Sequence, residues 1–186
     1  MTAEKHVKAG RLTALISFLI GTIIFGLYFL TSAPELLFIG FGFIAITGLI
    51  NLGVLLAILI KSGRDKQNRK RLLNTSGLML LNIPVVIAYC WIAIILLGTM
   101  RITFTNDTNT TLTDINVVGG GGGHIDQLAV GESKTVWVKI TGDSSISIDY
   151  LSGRQRKKEN VFGYLTTSMG RKAKHKIDGK DKEIPM

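Results

Sequence analysis

Cysteine, proline and charged residues are all scarce in this chain. Cys90 is the one cysteine, and there are three prolines among 186 residues. A single cysteine excludes a disulfide framework and a zinc site built from several thiolates. Charged residues make up 19% of the chain and hydrophobic residues 46%, whereas an ordinary soluble domain has about 25% charged residues. This composition excludes an intrinsically disordered chain and favours a membrane protein.

The apolar residues are concentrated in three blocks that contain no Asp, Glu, Lys, Arg or His. They are Leu12–Leu30, Leu36–Ile60 and Leu78–Met100, with 19, 25 and 23 residues. A hydrocarbon core about 30 Å thick requires about 20 helical residues, and a backbone in lipid must satisfy its own hydrogen bonds. The blocks therefore predict three transmembrane helices. The first block is also longer than a signal-peptide core of about 7–15 residues, and we interpret it as a span.

Basic residues flank these blocks unevenly, and this predicts an orientation. The segment 1–11 carries Lys5, Lys8 and Arg11, whereas the loop 31–35 carries no Lys or Arg. Short loops rich in Lys and Arg stay in the cytoplasm. We therefore expect the segment 1–11 and the loop 61–77 in the cytoplasm, and everything after Met100 outside it. The loop 61–77 has six basic residues that set topology and are also expected to contact anionic lipid head groups: Lys61, Arg64, Lys66, Arg69, Lys70 and Arg71.

After Met100 the leucine runs give way to Thr, Asn, Asp, Gly and Val. Alternating apolar and polar residues between Asn, Asp and Gly are typical of short antiparallel strands. Residues 101–170 therefore predict a small antiparallel β-sandwich, and 171–186 a basic tail that is loosely ordered from residue 177. Thr141-Gly142-Asp143 predicts a hairpin turn. The predicted strands are Arg101–Asn106, Asp114–Val118, Thr135–Ile140, Ser145–Leu151 and Asn160–Thr167.

One loop of the outer segment carries a resemblance. The residues Leu128–Ser133 read LAVGES and precede Thr135-Val136-Trp137-Val138. This pattern resembles a loop of bacterial immunoglobulin-like and fibronectin-like sandwiches, in which an L-x-x-G-E-S turn precedes an inward Val-x-Val strand. The resemblance implies the fold and a bacterial plasma membrane, but no particular function, because such sandwiches have many functions.

Residues with catalytic or metal-binding potential form no recognisable site. Gly119–Gly123 is a run of five glycines, but no helix pattern follows it as a phosphate-binding loop requires, so we expect a flexible strand connection. His6, His124 and His175 lack metal-ligand spacing, and His124 and Asp126 share one face of a strand. No nucleophile with an activating base is present. We therefore predict no enzyme activity, no cofactor and no metal.

Polar and small residues within the spans indicate helix packing. Asn51 and Asn82 are expected either to bond across helices or, for Asn82, to accommodate a kink at Pro84. Small residues four apart let helices approach closely, and they pack either against the protein's own helices or against a partner subunit. These pairs are Ser17 and Gly21, Thr22 and Gly26, and Gly53 and Ala57.

The formal charge of +9 does not indicate nucleic acid, because the basic runs at 154–158 and 171–182 lack interleaved aromatic residues. The sequence favours a non-catalytic, multi-pass protein of the plasma (inner) membrane that presents its sandwich outside the cytoplasm. Its expected partners are the lipid bilayer and other membrane subunits, for which it acts as an accessory or assembly subunit. A stand-alone binder, such as a sensor or an immunity-type protein, is the alternative. An oligomeric transporter or channel is less favoured, because ion pathways depend on charged groups inside the membrane.

Overall fold

The computed structural model describes residues 2–180, and its chain divides into two compact units, Met1–Ile92 and Ala93–Met186. The first unit is helical. The second begins with the last turn of a helix and continues as β-strands. Each unit is described by itself.

Four helices form in chain order: α1 (Ala3–Thr31), α2 (Glu35–Arg64), α3 (Arg69–Leu80) and α4 (Asn82–Leu97). Within the described part of the chain, three helical stretches are long and apolar enough to cross a membrane: Ala3–Thr31, Glu35–Arg64 and Arg69–Leu97. The third stretch joins α3 and α4. The prediction of three long apolar helices is therefore confirmed.

The helices extend beyond the predicted blocks, because helical hydrogen bonding continues into the polar flanks. Most of the segment 1–11 lies in α1, and the predicted loop 61–77 shrinks to a short connection, residues 65–68, between α2 and α3. The third block ends earlier than predicted, at Leu97 instead of Met100, because Thr99 already begins a strand. It is also interrupted at Leu81. Pro84 has no N–H to donate to the carbonyl of Leu80, and this breaks the helix.

The helical unit has a small buried core. Val7 and Ala14 of α1, Ile58 of α2, and Leu72 and Met79 of α3 form one buried cluster. Outside it few helix residues are fully buried: only 11%, 6% and 6% of the most apolar window of the three stretches is buried, and the rest is partly or fully exposed. The helices therefore present a large apolar surface to their surroundings.

Seven strands follow, in two sheets whose orders are β4-β1-β7 and β3-β2-β5-β6. The pairs are antiparallel except for β1 and β7, which are parallel. Buried residues of both sheets form one core, which includes Phe104 and Val138 from the first sheet and Ile115, Ile148 and Tyr150 from the second. The strands are β1 (Thr99–Asn106), β2 (Leu112–Val118), β3 (Gly123–Leu128), β4 (Ser133–Lys139), β5 (Ser144–Ser152), β6 (Gln155–Leu165) and β7 (Lys172–Ile177).

Two expectations for this unit are corrected. The predicted tail 171–186 contains β7, whose Ile177 is fully buried beside β1; residues 181–186 lie outside the described residues. The residues Thr141-Gly142-Asp143 do not form a hairpin turn. They cross between the two sheets, because β4 pairs with β1 whereas β5 pairs with β2 and β6. The basic composition of β7 hid an alternation in which only Ala173, His175 and Ile177 turn inward.

The last turn of α4 is hydrogen-bonded into the sheets, and we call this region the helix–sheet junction. Gly98 is the one residue between α4 and β1. The Gly170 N–H donates to the Leu97 carbonyl at 2.8 Å, and the Ile140 N–H donates to the Gly98 carbonyl at 2.8 Å. These carbonyls have no partner inside the helix; they are satisfied by the residue that follows β4 and by the segment just before β7, and these bonds fix the start of β1.

A substitution at Gly170 tests the close packing at the helix–sheet junction. A Cβ at Gly170 would lie 2.2 Å from the Leu96 oxygen and 2.6 Å from the Thr99 nitrogen, both backbone atoms. We expect Gly170→Ala to lower the free energy of unfolding of this unit by about 1 to 3 kcal/mol, the usual cost of such crowding. Urea unfolding in detergent, followed by Trp137 fluorescence in a Trp91→Phe background, measures the change.

Gly163→Ala is the matched control, because the nearest atom to its added Cβ is 3.9 Å away. It should leave the unfolding midpoint nearly unchanged. Equal midpoints for the two alanine variants would contradict the close packing at the junction.

Candidate functional site

Polar side chains inside the helical unit bond from one helix to another. The Asn51 amide nitrogen donates to the Ser17 hydroxyl at 2.7 Å, and the Asn82 amide nitrogen donates to the Ala14 carbonyl at 2.9 Å. Both α2 and α4 are therefore held to α1. Asn82 also lies directly after the break at Leu81, but the bond that its side chain makes is the one to α1.

An aromatic contact adds to this packing further along α1. The Thr22 and Tyr89 hydroxyls lie 2.9 Å apart, and the Tyr89 ring stacks on Phe25 with the ring centroids 4.4 Å apart. The Tyr89 hydroxyl thus finds its partner on α1, which explains its position deep within the span.

The small residues of the candidate spans divide into two groups. Ser17 bonds to Asn51, and Gly21 faces the Phe43 ring, where a Cβ would lie at 3.5 Å. These residues pack against the protein's own helices. Gly26 and Gly53 have no atom within 4 Å of an added Cβ, and Ala57, one turn after Gly53, is exposed. The pair Gly53 and Ala57 therefore faces outward.

The hydrogen bond from Asn82 to α1 should make a measurable contribution to the stability of the helical unit. Interhelical hydrogen bonds in membranes average about 0.6 kcal/mol and reach about 1.7 kcal/mol. We expect Asn82→Leu to destabilise the helical unit by about 1 kcal/mol in an SDS-unfolding titration. Asn74→Leu is the matched control, because Asn74 is an exposed asparagine of α3. The bond contributes nothing if both variants unfold at the same SDS fraction.

The connection between α2 and α3 concentrates positive charge, and we call residues 61–71 the basic connection. The Asp65 carboxylate accepts hydrogen bonds from the Asn68 N–H at 3.1 Å and from the Asn68 amide nitrogen at 3.1 Å. These bonds, first the one from the backbone N–H, hold the pKa of Asp65 below its usual value, with Lys61 assisting at 3.6 Å. The turn is thereby fixed, and five cations point to solvent: Arg64, Lys66, Arg69, Lys70 and Arg71.

The two-sheet unit contains a buried polar cluster that the sequence did not reveal. Glu159 is 3% exposed, and its carboxylate accepts hydrogen bonds from the Tyr150 hydroxyl at 2.6 Å and the Gly179 N–H at 3.0 Å. The His175 Nε2 lies 3.1 Å from the other carboxylate oxygen. The cluster ties β7, in the first sheet, to β5 and β6, in the second. The alternation of inward and outward residues along β7 is the one sequence signal that could have placed His175 in this cluster.

The five-glycine run is a tightly packed turn between β2 and β3, not the flexible connection expected. Gly119 and Gly120 have positive φ angles of 107° and 55°, which glycine adopts without strain. The Gly121 N–H donates to the Lys139 carbonyl at 2.7 Å. A Cβ at Gly119 would lie 1.9 Å from the Ser145 oxygen. Close packing against β4 and β5 therefore accounts for the run, and its last residue, Gly123, begins β3.

The remaining histidines take part in local polar contacts. His124 lies 2.8 Å from the Asn116 side-chain oxygen through Nδ1 and 3.1 Å from the Asp126 carboxylate through Nε2. His6 contacts the Thr2 carbonyl at 3.0 Å. Within residues 2–180 no group of three or more His, Cys, Asp or Glu side chains is arranged to hold a metal ion.

Comparisons of the chain with protein-family models, with curated proteins and with solved structures found no match. The observations on which function can be based are therefore geometric. Three candidate spans precede a two-sheet unit, and a helix–sheet junction joins the last span to that unit. The chain also carries a basic connection and an outward-facing pair of small residues.

Proposed function

We propose that this chain is a non-catalytic integral membrane protein. In this proposal it presents an extracytoplasmic β-sandwich as an interaction domain, and it serves as an accessory or assembly subunit of a cell-envelope complex. The single observation that carries the proposal is the exposure of its three apolar stretches, of which at most 11% of the most apolar window is buried. Contiguous apolar surface of this size requires lipid or protein cover.

The proposed orientation rests on the charge distribution. The basic connection exposes five cations, and short basic loops stay in the cytoplasm. Two crossings by α1 and α2 put the amino terminus on the same side, and the third crossing carries the two-sheet unit outward. In the cytoplasmic leaflet the basic connection would meet anionic lipids, each cation contributing about 1 kcal/mol.

A partner subunit is favoured by the outward-facing pair Gly53 and Ala57. Small residues four apart allow a second helix to approach closely, and no atom of this chain lies within 4 Å of a Cβ added at Gly53. We propose that a helix of another membrane protein packs there. Lipid covers the rest of the helical surface.

Membership of the immunoglobulin-like or fibronectin-like superfamily remains part of the proposal. It is supported by the turn before β4, where Gly131 has a φ of 76° and the Glu132 carboxylate accepts the Ala129 N–H at 2.8 Å. In the strand that follows, Val138 is fully buried and Val136 packs against the same core. The absence of catalysis is likewise a prediction, in keeping with the structural contacts of His124 and His175 described above.

The orientation predicts which sites react from outside the cell. In a Cys90→Ala background, a single cysteine is placed either at Asp143, exposed between β4 and β5, or at Lys66, exposed in the basic connection. We expect a membrane-impermeant maleimide to label Asp143→Cys on intact cells or spheroplasts. Lys66→Cys should react only after the membrane is permeabilised.

Labelling of both positions after permeabilisation is the control for reactivity. The opposite pattern, with Lys66→Cys labelled on intact cells, would invert the proposed orientation. Loss of the protein from membranes on alkaline carbonate washing would contradict the proposal that it is an integral membrane protein.

The subunit hypothesis predicts a stoichiometric membrane partner in a mild-detergent pull-down analysed by mass spectrometry. Gly53→Leu should release this partner, because its side chain fills the outward-facing gap. Gly48→Leu is the matched control: it also has open space around its Cβ, but a five-residue offset places it on a different face of α2.

Other outcomes point to the alternatives. A monomer or homodimer with a soluble ligand on the two-sheet unit would indicate a stand-alone binder. Ion or solute flux in liposomes containing the purified protein would indicate an oligomeric channel or transporter.

A further inference from the structure

The outer surface of the β4-β1-β7 sheet is strongly basic. Its residues alternate with those of the core, and the register aligns them in rows: Trp137, Arg101 and Lys172 in one row, and Thr135, Thr103 and Lys174 in the next. We call this surface the basic face. Its outward positions on the three strands contain no Asp or Glu. Besides the buried Arg101, they carry four exposed lysines: Lys139, Lys172, Lys174 and Lys176.

An exposed tryptophan lies in the first row. Trp137 is 51% exposed, and the Arg101 guanidinium carbon lies 5.6 Å from the centroid of its ring. Arg101 itself is only 3% exposed. A cation this close to an indole ring is attracted to its π system, so Arg101 positions Trp137 from below. The indole is thus held at the surface among lysines.

The basic face begins at the helix–sheet junction. Arg101 is four residues after Leu97, the last residue of α4, so it lies within about 14 Å of the helix end even in a fully extended chain. Its neighbours in the row are on paired strands about 5 Å away. The junction hydrogen bonds fix this arrangement. The head-group layer on each side of the hydrocarbon core is about 5 to 7 Å thick, so the first row lies at or near that layer when α4 spans the membrane.

We propose that the basic face binds anionic phospholipid head groups of the leaflet in which α4 ends. Tryptophan is enriched at the membrane–water interface, and lysines near an anionic surface are attracted to it. The next rows supply threonine and serine hydroxyls, which donate to phosphate oxygens. Because the first row lies nearest the end of α4, we expect it to dominate; Lys176, two rows further along β7, lies 3.3 Å from Asp107. This inference rests on the proposed function in one respect, the insertion of α4.

The test uses the full chain in lipid nanodiscs, where both leaflets are accessible. In a Trp91→Phe background Trp137 is the only tryptophan. We expect its emission to shift to the blue, and its quenching by head-group-labelled nitroxide lipid to increase, when phosphatidylcholine is replaced by equal amounts of phosphatidylcholine and phosphatidylglycerol. High salt should reverse both changes, because it screens exposed charges.

Charge reversals distinguish an effect of the basic face from an effect of the net charge of the whole chain. Lys172→Glu should lower the ratio of bound to unbound face by at least about fivefold in anionic discs, because it removes one attracted charge and adds a repelled one. Lys174→Glu should lower it by a smaller factor. Arg154→Glu is the matched control, an equal charge change at an exposed residue between β5 and β6 of the other sheet. Circular dichroism verifies that each variant is folded.

Each outcome has a defined meaning. Equal Trp137 quenching in neutral and anionic discs, or equal effects of Lys172→Glu and Arg154→Glu, would overturn the proposal. A Trp137 shift with soluble polyglutamate but not with anionic lipid would overturn it in favour of an acidic protein partner. If alkaline carbonate extracts the chain, the proposed function fails. If the chain stays inserted and Trp137 does not respond, only the lipid inference fails.

Discussion

Backbone carbonyls at the end of α4 have no partner within the helix, and the way in which they are satisfied organises the second unit. The Gly170 and Ile140 N–H groups bond to the carbonyls of Leu97 and Gly98. A helix end in a poorly hydrated region is costly unless it is capped. Here the cap comes from the connections at the end of β4 and before β7. The chain passes from helix to strand through the single residue Gly98. The position of β1, and with it the basic face, follows from this constraint.

The helical unit obeys a different constraint. Its apolar windows are charge-free, and most of their surface faces outward, so specificity has to come from a few polar contacts. Asn51, Asn82 and Tyr89 provide these contacts to α1. In a hydrocarbon environment such bonds fix helix pairing, because apolar side chains pack equally well against lipid. The cations lie outside the three apolar blocks, in the segment 1–11, the basic connection and the two-sheet unit.

The sequence predicted the three apolar stretches well, because a run of about 20 uncharged residues has few other stable arrangements. It also predicted most strands from their alternation. It misassigned β7, since five of the eight residues from Arg171 to Asp178 carry a basic or imidazole side chain and the composition suggested a solvated tail. It also missed that Thr141-Gly142-Asp143 crosses between sheets, because a turn-like composition does not say which strand the chain joins next.

The sequence by itself determined the apolar blocks of the helices, the break near Pro84 and the alternation of most strands, because each depends on local periodicity and backbone chemistry. The tertiary structure decided which residues meet. It alone joined Glu159 to Tyr150 and His175, packed the five-glycine turn against β4 and β5, and aligned Trp137 with Arg101 and Lys172. These contacts link positions far apart in the chain, and their pairing is set by sheet order and register, which no local pattern encodes.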